Sequence, residues 1–169
     1  GWVELHLPVP GGAVTLAYIG GPGLWFGDLA ALRGHSRRLS VVTRTNVRLL
    51  RLPRSELHRL CDEDPRRWRY LADLAAYNLG ITIDIVEALR PRDPVKRVAL
   101  TLLAIAQNLS DRPGNLNITQ SDLAALACLS RGVVNTVLAT LEDRGLVERR
   151  YGAVEIRRLG GLAKLVGRT

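Results

Sequence analysis

A chain of 169 residues is long enough for one or two small domains with cores of their own. Its 24 Lys and Arg against 16 Asp and Glu leave a net charge of +8, a balance that suits a polyanionic partner such as nucleic acid. Cys61 and Cys128 show neither a disulfide framework nor metal-ligand spacing, and no apolar run nears the ~18 residues of a membrane span, so a reducing, cytoplasmic setting with no membrane partner is expected.

Residues 1–52 carry a period-two pattern. Val3, Leu5 and Leu7 alternate with Glu4 and His6, a Pro-Val-Pro-Gly-Gly turn follows at 8–12, and Val14, Leu16 and Tyr18 resume the alternation. Val41-Val42 and the stretch from Val47 to Leu52 complete about four or five strands. That is too few to close a barrel or sandwich, so further strands are expected ahead of Gly1. Between the strands, Gly27-Asp28 and Arg37-Arg38 surround a short helical turn. Such a turn offers backbone N–H groups to a phosphate, arginine to pair its charge and a carboxylate for a sugar hydroxyl. On these residues alone a surface loop with solvated arginines is the commoner meaning.

The spacing predicts one long helix over about 65–90. Trp68, Leu71, Ala75, Asn78, Thr82, Ile85 and Leu89 recur every three or four residues, the a/d register of a dimeric coiled coil. Leu74, Leu79, Ile81 and Val86 widen the apolar surface for packing on the β region. A helix buried within its own domain is the alternative.

Asp93-Pro94 caps the next helix, 94–108, after a stiff hinge at 90–94. Thr119 and Asp122 form a capping box for a short helix with Leu123, Leu126 and Ala127 on one face. Cys128-Leu129-Ser130 is a tight connection, and Ser130 caps a second helix whose core face is read as Val133, Val134, Val137, Leu138 and Leu141. Gly145 stops that helix, and a hairpin turns at Tyr151-Gly152. Two helices across a short turn followed by a hairpin make a winged helix-turn-helix, with Arg131 in the first turn of the base-reading helix. An ordinary helical hairpin and a winged helix used only for protein contacts remain as alternatives. Arg131, Arg144, Arg149 and Arg150 favour DNA over the latter. Residues 92–169 hold 12 basic and 7 acidic side chains against 12 and 9 in residues 1–91, so the positive excess leans towards this half. No nucleophile–base pair, metal cluster or Gly-Lys-Ser/Thr phosphate loop is visible, so an enzyme is not expected.

The order of β region, long helix and winged helix resembles the cyclic-AMP-receptor/fumarate-nitrate-regulator (Crp/Fnr) family of bacterial transcription factors. The most specific match is Leu129-Ser130-Arg131 with Leu141-Glu142-Asp143-Arg144-Gly145-Leu146-Val147. The resemblance implies an α+β fold, with a partial β-roll of the cyclic-nucleotide-binding jelly-roll type over 1–64. A dimerisation helix over 65–91 and a DNA-binding domain over 92–169 follow. It implies a homodimer that binds double-stranded DNA and works with RNA polymerase. Ser130 and Arg131 take the family's phosphate and guanine positions; Thr119, Gln120 and Ser121 fall where relatives touch phosphates. Asn135 and Thr136 lie on the reading helix, and Arg149 and Arg150 on the wing. Gly132 and Thr136 depart from the family's other base-reading residues, so the operator is not inherited. Residues 24–41 are similar to the phosphate cassette of cyclic-nucleotide domains, with Gly27, Asp28, Leu29, Arg37 and Arg38 beside an effector and Thr82 near its purine. Arg38 stands where a small hydroxyl residue is usual, Leu39 where alanine is, and Ile83 where a serine is. The implied effector is a cyclic nucleotide or another small anion, with no metal; a ligand-independent regulator with a degenerate sensor is the alternative.

Overall fold

The computed structural model describes residues 1–107, 115–116, 118–150 and 152–168. The period-two pattern at the start becomes β1 (Val3–Pro8) and β2 (Val14–Gly20), joined by a tight turn. After α1 (Asp28–Arg33), β3 (Ser40–Thr43) returns to the far side of β1, giving an antiparallel sheet in the order β2-β1-β3. Val3, Leu5, Tyr18 and Ile19 are buried by this sheet.

The expected strand from Val47 to Leu52 does not form. This stretch pairs with no strand among the described residues, and Leu50 is fully exposed. Alternating side chains specify a strand only when a neighbour accepts its backbone hydrogen bonds. It leads instead into α2 (Arg54–Glu63), an element not anticipated although Leu57 and Cys61 have helical spacing and are buried.

The long helix is α3 (Arg67–Leu89). The chain then turns into α4 (Pro94–Gln107), where the Asp93 carboxylate accepts from the Val95 N–H at 2.9 Å; position 108 lies outside the described residues. A short β4 (Asn115–Leu116) precedes α5 (Gln120–Leu126) and α6 (Arg131–Asp143). β5 (Val147–Arg150) and β6 (Ala153–Ile156) form the hairpin, with β4 completing the order β4-β6-β5. Tyr151, expected at the hairpin turn, lies outside the described residues. A last helix, α7 (Leu159–Leu165), inserts Leu162 into the core and was also not anticipated.

Most of the buried apolar surface belongs to one cluster built by α4, α5, α6, the hairpin and α7. Ile19 of β2 joins that cluster, and Trp2 and Leu16 pack against it, so the N-terminal sheet serves as one wall of the C-terminal half. Two ion-pair groups cross the same boundary. The Arg44 guanidinium, after β3, donates to Glu4 Oε1 at 3.0 Å and to Asp122 Oδ2 at 2.8 Å. Arg168 pairs with Asp84 and Glu87 on α3.

Candidate nucleic-acid interface and effector pocket

The helix pair is set by local hydrogen bonds. Thr119 and Asp122 close a capping box at the start of α5: the Asp122 N–H donates to Thr119 Oγ1 at 3.1 Å and the Thr119 N–H to Asp122 Oδ2 at 2.9 Å. Burial pushes the Asp122 carboxyl up, but hydrogen bonds from Arg44 and Thr119 outweigh it and hold the group below its ordinary range. Cys128 turns the chain with φ at 51°, a left-handed conformation uncommon for a residue with a side chain. Ser130 Oγ then accepts the Val133 N–H at 3.3 Å and α6 leaves at 107° to α5. Gly145 at φ 65° ends α6, with the Leu146 N–H donating back to the Leu141 carbonyl at 2.9 Å.

This geometry sorts the α6 side chains. Val134, Val137, Leu138 and Leu141 face the core, while Arg131, Asn135 and Thr136 are exposed along one outward stripe. Val133 was expected in the core and instead stands 37% exposed. Val133 lies at the edge of the core-facing stripe set by Val134, Val137, Leu138 and Leu141, and Val134 takes the inward place at this turn. Arg131 has no hydrogen-bond or ion-pair partner among the described residues. Ser121 and Ser130 are exposed, Thr119 and Gln120 half-buried.

The wing arginines are already engaged. Arg149 clasps Glu142 on α6, its backbone N–H and Nε each donating at 2.8 Å. Arg150 reaches Glu155 at 2.8 Å and Glu148 at 3.3 Å. Both glutamates also pair with Arg157. These contacts hold the Glu142 and Glu148 carboxyls below their usual range, chiefly by hydrogen bonds from Arg149 and Arg157 respectively. The signal for such pairing is present in the sequence as alternating charge from Glu148 to Arg157, but it does not name the partners.

On α3 the expected seam turns inward. Leu71 packs on Leu57 and Cys61 of α2, with Trp68 beside it. Ile81 meets Leu5 and Tyr18 of the sheet, with Ile85 alongside. Ala75, Asn78 and Leu89 are half-buried; only Thr82 is exposed, its hydroxyl donating to the Asn78 carbonyl at 2.9 Å. The free apolar stripe lies one residue further on, at Ala72, Ala76, Leu79, Ile83 and Val86. Leu79, Ile83 and Val86 are each more than half exposed. Both sets keep the 3-4 spacing, so periodicity alone cannot choose between them.

The cassette residues do converge. Gly27, Asp28, Leu29, Arg37 and Arg38 line a cavity of about 370 Å³ with Phe26, Arg33, His35, Leu39 and Val41. Gly27 has φ 91°, and a Cβ there would lie 3.1 Å from Arg37 Nη1, so glycine is what lets the guanidinium settle on the loop. Thr82 is not among the lining residues. Arg33, the one charged lining residue not anticipated, enters from the last turn of α1. No group of three or more His, Cys, Asp or Glu among the described residues is placed to hold a metal ion.

Two family models match the chain: a cyclic nucleotide-binding domain over residues 1–64 and a Crp-like helix-turn-helix domain over 96–165. The chain is 30% identical over 152 residues to the CRP-like cAMP-activated global transcriptional regulator of Mycobacterium tuberculosis, covering 87% of this chain and 68% of that protein. It is 35% identical over 144 residues to the cyclic AMP receptor protein of Thermus thermophilus, covering 85% and 65%. A solved CRP/FNR-family transcriptional regulator from Thermus thermophilus superposes with a TM-score of 0.72 at 26% identity, over 98% of this chain and 84% of that one.

Proposed function

The chain belongs to the Crp/Fnr family of transcription regulators, and from that premise we propose that it acts as a homodimer gated by a small anionic effector in the sensor cavity. The carrying observation is the outward stripe of α6, where Arg131 is exposed and, among the described residues, unpartnered at the first turn of a helix set at 107° to its neighbour. Arg131 presents its fork to a guanine edge, Val133 offers a methyl-sized contact to thymine, and Asn135 and Thr136 follow along the groove. Ser121, Ser130 and Gln120 hold phosphates. Arg149 and Arg150 are braces for the wing first, and each contributes to phosphate binding only by sharing its carboxylate partner. The dimeric regulator works with RNA polymerase at the promoter rather than catalysing a reaction itself.

The test is selection of binding sites from random DNA with wild type and Arg131→Ala. The variant is expected to lose ~1–3 kcal/mol per half-site and relax preference at one position. Identical selected motifs would remove Arg131 from base reading.

The exposed stripe from Ala72 to Val86 supports dimerisation through α3, two copies burying Leu79, Ile83 and Val86 against each other. Ile83→Lys sets like charges across that seam and yields folded monomers in sedimentation. Leu71→Lys instead disrupts the α2–α3 packing and lowers the melting temperature. A folded, dimeric Ile83→Lys would return the seam to the Leu71 face.

Strand β3 supports a route between the two halves. Val41 lines the cavity, and Arg44, three residues on, holds Asp122 at the start of the helix-turn-helix. The Arg44 side chain is 14% exposed and Asp122 17%, so a shift of β3 is felt by a desolvated ion pair rather than dissipated in water.

A further inference from the structure

Three arginines line the sensor cavity, and none of them is paired among the described residues. Arg33 comes from the last turn of α1, and Arg37 and Arg38 from the loop before β3. Asp28 is the one carboxylate in the lining, so the formal charge of the lining is +2 with His35 neutral. Neither Asp28 nor any of the three arginines has a hydrogen bond or ion pair among the described residues. A fourth guanidinium stands close by. Arg54 of α2 lies against Gly34, where an added Cβ would fall 2.9 Å from its Nη1, and it too has no ion pair among the described residues. Elsewhere in this chain, arginines that sit close together share carboxylates, as Arg150 and Arg157 share Glu148 and Glu155.

A ligand with a single negative charge engages one of these arginines and leaves the others without a counter-charge. Like charges gathered around one concavity raise the local potential and favour a counter-ion of matching charge, even though each side chain is solvent-exposed. Arg38 brings charge and reach to the lining rather than a short neutral donor. Leu39, Phe26 and Val41 supply apolar wall for a ring.

We propose that the cavity takes a polyanionic nucleotide, one with at least two negative charges on separate phosphates, with Arg37 on one phosphate and Arg33 with Arg38 on the second. The inference rests on the reading of this cavity as the effector site and adds the charge of its ligand.

Calorimetry on the whole chain at low salt separates the two. The probes are three adenine compounds: cyclic AMP with one charge, cyclic di-AMP with two on separate phosphates, and adenosine 3′,5′-bisphosphate with more. The expected result is that at least one of the latter two binds about tenfold or more tighter than cyclic AMP, the worth of one added charge-assisted contact. Arg33→Ala, an exposed side chain with no partner to lose, narrows that ratio; Arg33→Lys restores part of it; Arg37→Ala weakens every probe. Circular dichroism of each variant establishes that the fold is retained. Cyclic AMP binding as tightly as both polyanions, with loss in Arg37→Ala, overturns the polyanion proposal while keeping the cavity as the effector site. Arg33→Ala weakening all three probes equally also overturns it. Failure of every probe to bind overturns both.

Discussion

Helix α4 at the base of the DNA-reading half buries every residue from Val98 to Ala106, whereas α1 beside the sensor cavity buries none. The reading half is organised by apolar packing: one cluster gathers residues from four helices and three strands around Leu102, Leu138 and Val154. The sensor has two small clusters, one around Leu5, Tyr18 and Ile81 and one around Leu57, Cys61 and Leu71, and its cavity is lined mostly by exposed loop residues, meeting the first cluster at Leu5 and Val41. Apolar packing is concentrated around α6, the helix that carries Arg131. The cavity wall is held by turns and a short helix with no buried residue.

The comparison is broken most directly in the core. Leu138→Ala removes a fully buried side chain between α6 and the rest of the reading half, and is expected to cost ~2–5 kcal/mol in urea unfolding. Leu29→Ala, at a 55% exposed cavity position, is expected to stay within ~0.5 kcal/mol. Similar losses for the two would mean that the sensor wall is packed as firmly as the reader.

Asp122 joins the two regions, so its effect is intermediate. Asp122→Asn weakens both the capping box and the pair with Arg44, for an expected loss of about 1–2 kcal/mol near neutral pH. The folded-state pKa is lowered, so this stabilisation is present above the ordinary aspartate range and is lost as pH falls through the still lower folded value. Stability curves of wild type and variant should therefore converge in acid below about pH 4. Curves that stay parallel well below that range would detach Asp122 from the link between the halves.

The smallest effect has the opposite sign. Gly132 lies in α6 with open space where a Cβ would be. Gly132→Ala is expected to stabilise the reading half by roughly 0.5–1 kcal/mol, since glycine there costs backbone entropy and fills no tight approach. A loss of stability would show that the start of α6 is strained in a way the helix geometry does not reveal.

Features carried by neighbours in sequence were legible before any fold was known. The Thr119–Asp122 box, the Ser130 cap, the Asp93 cap before Pro94 and the Gly145 stop are each closed by groups within about four residues. Gly27, Asp28 and Arg37 were likewise picked out by pattern, and they do line one cavity. Arg33 was not, because an arginine at the end of a short exposed helix looks like any solvated side chain until the loop folds back over it. The segment from Val47 to Leu52 was misread for a related reason: it has the alternation of a strand but no neighbour to pair with.

By itself the sequence determined the starts of α4, α5 and α6, the stop of α6 and, Val133 apart, the side of α6 that faces the core. Those outcomes follow from backbone hydrogen bonds and side-chain periods that span a single turn or two. Tertiary structure alone decided which of two equally periodic faces of α3 is left free and which carboxylates engage the wing arginines. It also set Arg44 beside Asp122, 78 residues away. Each depends on groups far apart in the chain meeting at a desolvated surface. At such a place a difference of a few ångströms separates a paired charge from a free one, and no local pattern encodes that distance.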